Sequence, residues 1–360
     1  MTGSRQIVID GLRIDDGSEC YVIAELGHNH QGNVETAKKL IAEAAAAGAN
    51  AVKLQKRDNR SLYTQAMYDR PYDNENSFGA TYGEHREALE FGRSEYLELQ
   101  AYAREHRVAL FATAFDRASA DFLAELDMPA YKIASGDLRN PGLLRYVGSI
   151  GKPVIFSTGA AAYDDVARAH DALAETNDQI CVLQCTATYP APWEELDLSV
   201  IETYRSEFPT AVVGYSGHDN GISMPLVAYV LGARVVEKHF TLNRTMKGTD
   251  HAFSLEPLGL RKLVRDLQRA RAAIGDGVKK VHPSERAALE KMGKKLVAAT
   301  DLRAGHVLRE GDLAVKSPGD GLPPTKADLL VGRTLTRDVR ADEDLQLDHA
   351  ALLSDDVVSA

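Results

Sequence analysis

What this 360-residue chain lacks narrows its function first. No apolar run reaches the roughly 18 residues of a membrane-crossing helix. Its opening residues, MTGSRQIVID, hold no signal-peptide core. A cytoplasmic protein with no membrane partner is therefore expected. Cysteine is scarce: Cys20, Cys181 and Cys185 are the three, and none shares a CxxC. That excludes a disulfide framework and a clustered zinc site. Cys181 and Cys185, four apart in ICVLQC, fall on one face of an expected strand and read as small buried hydrophobes. Basic charge is not in excess either. The net charge of −10 argues against a nucleic-acid partner. A small anion remains compatible, because a few lysines in a cleft set the local potential.

What is present is an alternation. From Tyr21 to about Arg271, eight β-like runs (YVIAEL, AVKLQ, VALFAT, AYKIAS, PVIFST, ICVLQC, AVVGYS, RVVEKHF) are separated by amphipathic stretches. Those stretches are ETAKKLIAEAAAAG, SEYLELQAYAREH, ASADFLAEL, VARAHDALAE, SVIETYRSEF and SMPLVAYVLG, with GLRKLVRDLQRARAAIG closing the series. This pattern is that of an α/β protein, a (β/α)8 TIM barrel, over residues 1–274. A doubly wound open sheet is the runner-up, but no GxGxxG follows the first run. The connection from Arg57 to Phe91 is long and rich in Tyr, Asn and Gly, which suits an ordered lid. Residues 275–295 break the alternation and read as a linker. In residues 296–360, DLRAGHVLREGDL and DVRADEDLQLDHA form a weak repeat, suggesting a small β-rich domain with pseudo-symmetry.

Barrel chemistry collects at the C-terminal strand ends. Here those ends carry Glu25; Lys53 and Gln55; Thr113; Lys132 and Ser135; Ser157 and Thr158; Thr186 and Tyr189; Ser216 and His218; and Glu237, Lys238 and His239. Buried polar groups cost free energy unless paired, so eight such endings describe a site. Lysines with hydroxyls suit a phosphate or carboxylate. His218 and His239, on adjacent strands, suit one divalent ion, and two imidazoles alone do not separate Mn²⁺, Mg²⁺ and Zn²⁺. His28 and His30 form a rival pair in a loop. A lysine nucleophile at Lys132, forming a Schiff base with pyruvate, is a competing chemistry. A non-catalytic carbohydrate-binding module is a third reading.

The chain resembles the sialic acid synthase family, which includes legionaminic and pseudaminic acid synthases. The resemblance rests on IAELGHNHQGNVETAKKLI, AGANAVKLQ, LFATAF, MPAYKIASGD, GKPVIFSTG, CTATYPAP, FPTAVVGYSGHD, GARVVEKHFT, KGTDHAFSLEP and, near the C-terminus, KSPGDGLPP. It implies a TIM barrel followed by an antifreeze-like SAF domain. It also implies a transferase in carbohydrate biosynthesis that condenses phosphoenolpyruvate with an aldose, giving a 2-keto-3-deoxy acid and phosphate by C–O cleavage. Carried over, Lys53, Thr113, Lys132, Ser135, Ser157 and Ser216 would hold phosphoenolpyruvate. His218 and His239 would bind the metal, Mn²⁺ or Mg²⁺. Gln55, Asn76, Asp137, Tyr189, Asp250 and Ser317 would face the sugar. Glu25 would serve catalysis with Lys53, Lys132, His218 and His239. A domain-swapped homodimer is implied as well. The sequence departs from the family pattern at Ser317 for an arginine, Ala187 for an asparagine, Asp137 for a glutamate, and Gly217 for an aspartate. These changes imply an altered acceptor, such as a sugar without the N-acetyl group.

Overall fold

Eight buried strand runs close on themselves in the computed structural model, which describes residues 5–351. The barrel strands are β1 (Tyr21–Gly27), β2 (Ala51–Lys56), β3 (Ala109–Ala114), β4 (Tyr131–Ile133), β5 (Val154–Ser157), β6 (Ile180–Cys185), β7 (Val212–Gly217) and β8 (Val235–His239). They are parallel and ordered in sequence, with β8 pairing back to β1. Every residue of β1, β3, β6, β7 and β8 is buried, as a parallel sheet covered on both faces requires. The fold is a (β/α)8 TIM barrel. Among the described residues, no helix is long and apolar enough to cross a membrane.

Local signals set the helix ends. The helix Val34–Ala47 starts where Asn33 accepts the Thr36 N–H and stops where Gly48 takes φ 92°. The sequence reading omitted the helix Pro141–Ser149 between β4 and β5, because its Pro-Gly opening resembles a turn. The proline stands in the first turn, where its missing N–H costs nothing, and Asn140 accepts from Leu143 N. Also unforeseen was an N-terminal hairpin, Gln6–Ile9 with Leu12–Asp15, which buries Ile7, Ile9 and Ile14. Its Val8 N–H donates to Gln179, just before β6, and Arg5 donates to the Ala211 carbonyl, just before β7. The hairpin thus covers the end of the barrel opposite the strand C-termini.

The chain divides into two compact units, Met1–Gly275 and Asp276–Ala360. The stretch read as a linker contains a short helix, Arg286–Met292. The second unit is a small strand-rich domain around Leu296, Leu302, Leu308, Leu335, Val339 and Leu345. Its internal repeat is real in three dimensions. Leu302 and Val339 exchange both backbone hydrogen bonds. Asp301 accepts from Ala341 N at 2.8 Å, and Asp338 reciprocates from Ala304 N at 2.9 Å.

Candidate active site

The strand register brings the polar endings level. His239 lies opposite Glu25, Glu25 opposite Lys53, Gln55 opposite Thr113, and Thr113 opposite Lys132. Ser216 lies opposite both Cys185 and Glu237. These side chains open into one cavity of about 560 Å³ at the C-terminal end of the barrel. Strand alternation divides the EKH ending of β8: Glu237 and His239 line the cavity, while Lys238 is turned to the opposite face. There it is sealed against Asp219, with Nζ donating to Oδ1 at 2.9 Å.

Two lysines occupy the floor. Lys53 Nζ lies 2.6 Å from Glu25 Oε2 and 3.6 Å from Glu237 Oε1, and it donates to Thr113 Oγ1 at 2.8 Å. Burial opposes its charge, but Glu237 and Glu25 outweigh it and hold the ammonium above the ordinary lysine pKa. Lys132 Nζ donates to Ser157 Oγ at 2.6 Å and to the Ile133 carbonyl at 2.9 Å. Its pKa is lowered, chiefly by burial and further by Lys53. Glu237 stays a carboxylate: burial pushes its pKa up, yet Lys53 and Lys132 bring it below the usual value. Ser135 Oγ accepts from Gly159 N at 2.9 Å and Ser216 Oγ faces Glu237 at 3.4 Å. Two ammonium groups, four hydroxyls nearby and two carboxylates make a floor whose chemistry suits a compact anion.

Above the floor the two imidazoles face each other, ring centroids 5.4 Å apart. His218 Nδ1–H donates to the Thr186 carbonyl at 2.8 Å, which leaves Nε2 with the lone pair. Burial, then His239, pushes the His218 pKa down to about 3, so the ring is neutral at physiological pH. His239 Nδ1 is buried without a hydrogen bond, the nearest acid oxygen being Asp250 Oδ2 at 3.5 Å. A neutral, oriented donor and a buried, unpartnered ring nitrogen suit a divalent ion whose other ligands are substrate and water. Among the described residues no set of three or more His, Cys, Asp or Glu side chains forms a complete cage.

The rival pair is close, ring centroids 6.0 Å apart and edge-on, but both rings are engaged elsewhere. His30 stacks on Phe91 at 4.1 Å between centroids, and His28 lies between Arg57 and Arg86. Gln55 Nε2 donates to Glu25 Oε1 at 2.6 Å, and Tyr189 and Asp250 line the cavity. Asn76 is not in the cavity wall; its Oδ1 accepts from Gly248 N, and Gly248 is in the wall. Asp137 is likewise outside the wall, with Oδ2 buried and unbonded and burial raising its pKa to about 6. Thr186 donates to the Glu195 carbonyl instead of facing the cavity, and Thr158 donates to Leu183 O. Ser317 belongs to the second unit, where it accepts from Lys294 Nζ at 2.5 Å. Cys185, read as a plain core residue, is part of the cavity wall.

The sequence reading left Arg57 and Arg86 out of the site, and it gave Glu237, one of its strand endings, no role. The first two sit in the lid connection, which forms the short helices Asn59–Leu62, Gln65–Tyr68 and Tyr82–Glu87; Phe78, ahead of the third helix, and His85 and Arg86 within it join the wall. The missing Gly217 carboxylate has a local reason. A Cβ there would lie 2.5 Å from Tyr215 Cε1 and 2.7 Å from Asp219 Oδ1. The buried carboxylate comes from Asp219, which also accepts from the Tyr215 hydroxyl at 2.7 Å.

Comparison with known proteins agrees with this geometry. N-acetylneuraminate-9-phosphate synthase of Homo sapiens is 38% identical over 325 residues, covering 90% of each chain. N,N'-diacetyllegionaminic acid synthase of Campylobacter jejuni is 35% identical, covering 89% of this chain and 97% of its own. The crystal structure of N-acetylneuraminic acid synthetase from Leptospira borgpetersenii superposes with a TM-score of 0.70 at 32% identity, covering 80% of this chain and 96% of that one. Residues 40–279 match the NeuB family and residues 295–351 the SAF domain. The chain therefore belongs to the NeuB family of sialic, legionaminic and pseudaminic acid synthases, and it carries a C-terminal SAF domain.

Proposed function

We propose that the chain is a transferase that condenses phosphoenolpyruvate with an aldose, releasing phosphate and forming a 2-keto-3-deoxy sugar acid. One observation carries this reading: Lys53 and Lys132, buried beside Thr113 and Ser157, line one cavity with the facing imidazoles of His218 and His239. The lysines and hydroxyls would hold the phosphate and carboxylate of phosphoenolpyruvate. His218 and His239 would hold a divalent ion, Mn²⁺ or Mg²⁺, which when bound polarises the acceptor's carbonyl.

The remaining steps belong to the chain's own side chains. C3 of phosphoenolpyruvate forms a bond to the aldehyde carbon, and the aldehyde oxygen takes up a proton. Positive charge develops at C2, beside the carboxylates Glu25 and Glu237. Glu25, fixed by Lys53 and Gln55, is placed to orient the acceptor or water and to move a proton. Water adds to C2 and loses its proton. The C2–O bond to the phosphate group then breaks, the new hydroxyl gives its proton to the departing phosphate, and C2 becomes the ketone as phosphate leaves into the Lys53–Lys132 floor. The buried floor of the cavity limits the water that reaches the cation. The departures at Ala187 and Ser317 support an acceptor other than the usual N-acetylated sugar. The same reading carries a homodimer with exchanged C-terminal domains, which sedimentation checks.

The test is phosphate release from phosphoenolpyruvate with Mn²⁺ against N-acetylmannosamine, mannose, arabinose and their phosphates, with EDTA controls. Metal-dependent release with one sugar supports the reading; silence across the panel sinks it. N-acetylmannosamine as the best acceptor by a wide margin would refute the altered acceptor alone. Burial lowers the Lys132 pKa, as a Schiff-base nucleophile requires. Borohydride trapping of pyruvate on Lys132 would therefore favour the aldolase instead.

A further inference from the structure

The two imidazoles that face each other in the cavity are not held alike. The main chain fixes His218, whose Nδ1–H donates to the Thr186 carbonyl at 2.8 Å and leaves the lone pair on Nε2. His239 has no such partner: its Nδ1 is buried and without a hydrogen bond. Its ring neighbours besides His218 are aromatic, Phe253 edge-on at 4.9 Å between centroids and Tyr189 at 6.2 Å. Among the described residues, the one acid oxygen within 4.0 Å of His239 is Asp250 Oδ2, 3.5 Å from Nδ1.

Asp250 is braced at every point except that oxygen. Its Oδ1 accepts from Thr249 Oγ1 at 2.8 Å, and its carbonyl accepts from Ser254 Oγ at 2.5 Å. Ser254 Oγ accepts in turn from Asn29 Nδ2 at 3.1 Å, and the same amide donates to the Phe240 carbonyl at 2.8 Å. Phe240 directly follows His239, so the loop that carries Asp250 is tied to the end of β8. Among the described residues Oδ2 accepts no hydrogen bond. The 3.5 Å gap is too long for one, and a side-chain shift of about 0.5 Å closes it. Contacts of this kind are often long in an unloaded site and tighten when it fills.

We infer that Asp250 is a positioning residue: its Oδ2 holds His239 in the Nδ1–H tautomer, so that His239, like His218, turns an Nε2 lone pair to the divalent ion. The role deepens the proposed function and rests on it for the presence of that ion. A neutral imidazole carries its proton on one nitrogen or the other, and an unfixed ring spends part of its time with N–H where a ligand's lone pair is needed. A backbone carbonyl prevents this at His218; at His239 the carboxylate does so and also raises the basicity of the ligating nitrogen. The two histidines thus reach the same state by different means, one through the main chain and one through a side chain that substitution can remove.

The experiment reads the full chain twice, without either substrate. Nitrogen NMR of metal-free protein labelled with ¹⁵N-histidine, with His239 assigned through His239→Gln, gives the tautomer. Wild type should carry the proton on Nδ1, Asp250→Ala should move His239 to a mixture, and Asp250→Asn, whose amide oxygen still accepts, should keep the Nδ1–H form. Mn²⁺ titration, followed by the electron paramagnetic resonance signal of the free ion, gives the affinity. Asp250→Ala should weaken Mn²⁺ about 10–100-fold, and Asp250→Asn should stay within about fivefold of wild type. A wild-type ring protonated at Nε2 overturns the assignment. So does an Asp250→Ala protein that matches wild type in both readouts. An Asp250→Asn protein that keeps the tautomer yet loses Mn²⁺ as Asp250→Ala does also overturns it, because the carboxylate would then be a ligand of the ion. Wild-type protein that takes up no Mn²⁺ sinks the metal reading, while the tautomer, read without metal, still decides the part of Asp250.

Discussion

Lys238 Nζ reaches both the Oδ1 and the backbone carbonyl of Asp219, at 2.9 and 2.5 Å, with the two residues 1% and 0% exposed. The pair lies on the face of β8 away from the cavity, so it fixes the strand on which Glu237 and His239 sit. Burial lowers the Lys238 pKa, and Asp219 opposes that shift. Asp219→Ala would leave a buried ammonium with no counter-charge. Unfolding in urea should show a loss of about 3–5 kcal/mol. A loss below about 1 kcal/mol would mean that water reaches Lys238 and that the pair does not brace the strand.

Removing either floor lysine should cost catalysis heavily, and Lys53→Met should cost stability as well, since it strands two buried carboxylates. Lys53→Met leaves Glu25 and Glu237 facing each other without their shared cation; Lys132→Met removes the donor to Ser157. Each should lower kcat/KM for phosphoenolpyruvate by about 10²–10³-fold, the scale of a lost charge-stabilising donor. The binding and aldolase readings separate here. If borohydride traps pyruvate in wild type and Lys53→Met but not in Lys132→Met, the lysine is a nucleophile.

Gly159 tests how closely the cavity wall around Ser135 and Ala187 is packed. A Cβ at this position would stand 2.7 Å from the Ala187 Cβ, 3.0 Å from Ser135 Oγ and 3.1 Å from Ala187 N. Ala187 must move, and the Gly159 N–H to Ser135 contact at 2.9 Å is disturbed. Gly159→Ala should raise the KM for phosphoenolpyruvate about tenfold or more while changing kcat less. An unchanged KM would remove Ser135 from the phosphoenolpyruvate site.

The barrel was legible because its strands are continuous apolar runs that end in polar residues. Lys53, Thr113, Lys132, Ser157 and Ser216 line one cavity for that reason, since parallel register places equivalent ends at one mouth. Asp137 and Thr186 show the limit of that argument. Both follow their strands, but a turn after β4 and a bond to Glu195 O turn them out of the wall. Arg57 and Arg86 were invisible for a different reason: a lid has no periodicity, and only the fold brings them onto His28. The helix Pro141–Ser149 was lost to its first two residues, although Asn140 before them is a sound cap.

His30 makes the stability of the barrel mouth depend on pH. It is 1% exposed and stacked on Phe91, and its Nδ1 accepts from the Gly32 N–H at 3.1 Å. Burial, followed by the nearby His28, brings its pKa from 6.5 to about 3. The folded pKa lies below the unfolded one, so the unfolded chain binds the extra proton in between. Stability from this group is complete above about pH 6.5 and falls as the pH drops toward 3. Between pH 7.5 and pH 5 the loss is about 2 kcal/mol. Asp137, raised to about 6, works in the opposite direction over part of that window, since its protonated form is favoured on folding. The comparison must therefore be with His30→Gln, which keeps a neutral acceptor in place and leaves Asp137 alone. Urea unfolding at the two pH values should show a fall about 2 kcal/mol smaller in the variant than in the wild type. Equal falls would mean that His30 takes up its proton in the folded state, with the Phe91 stack open to water.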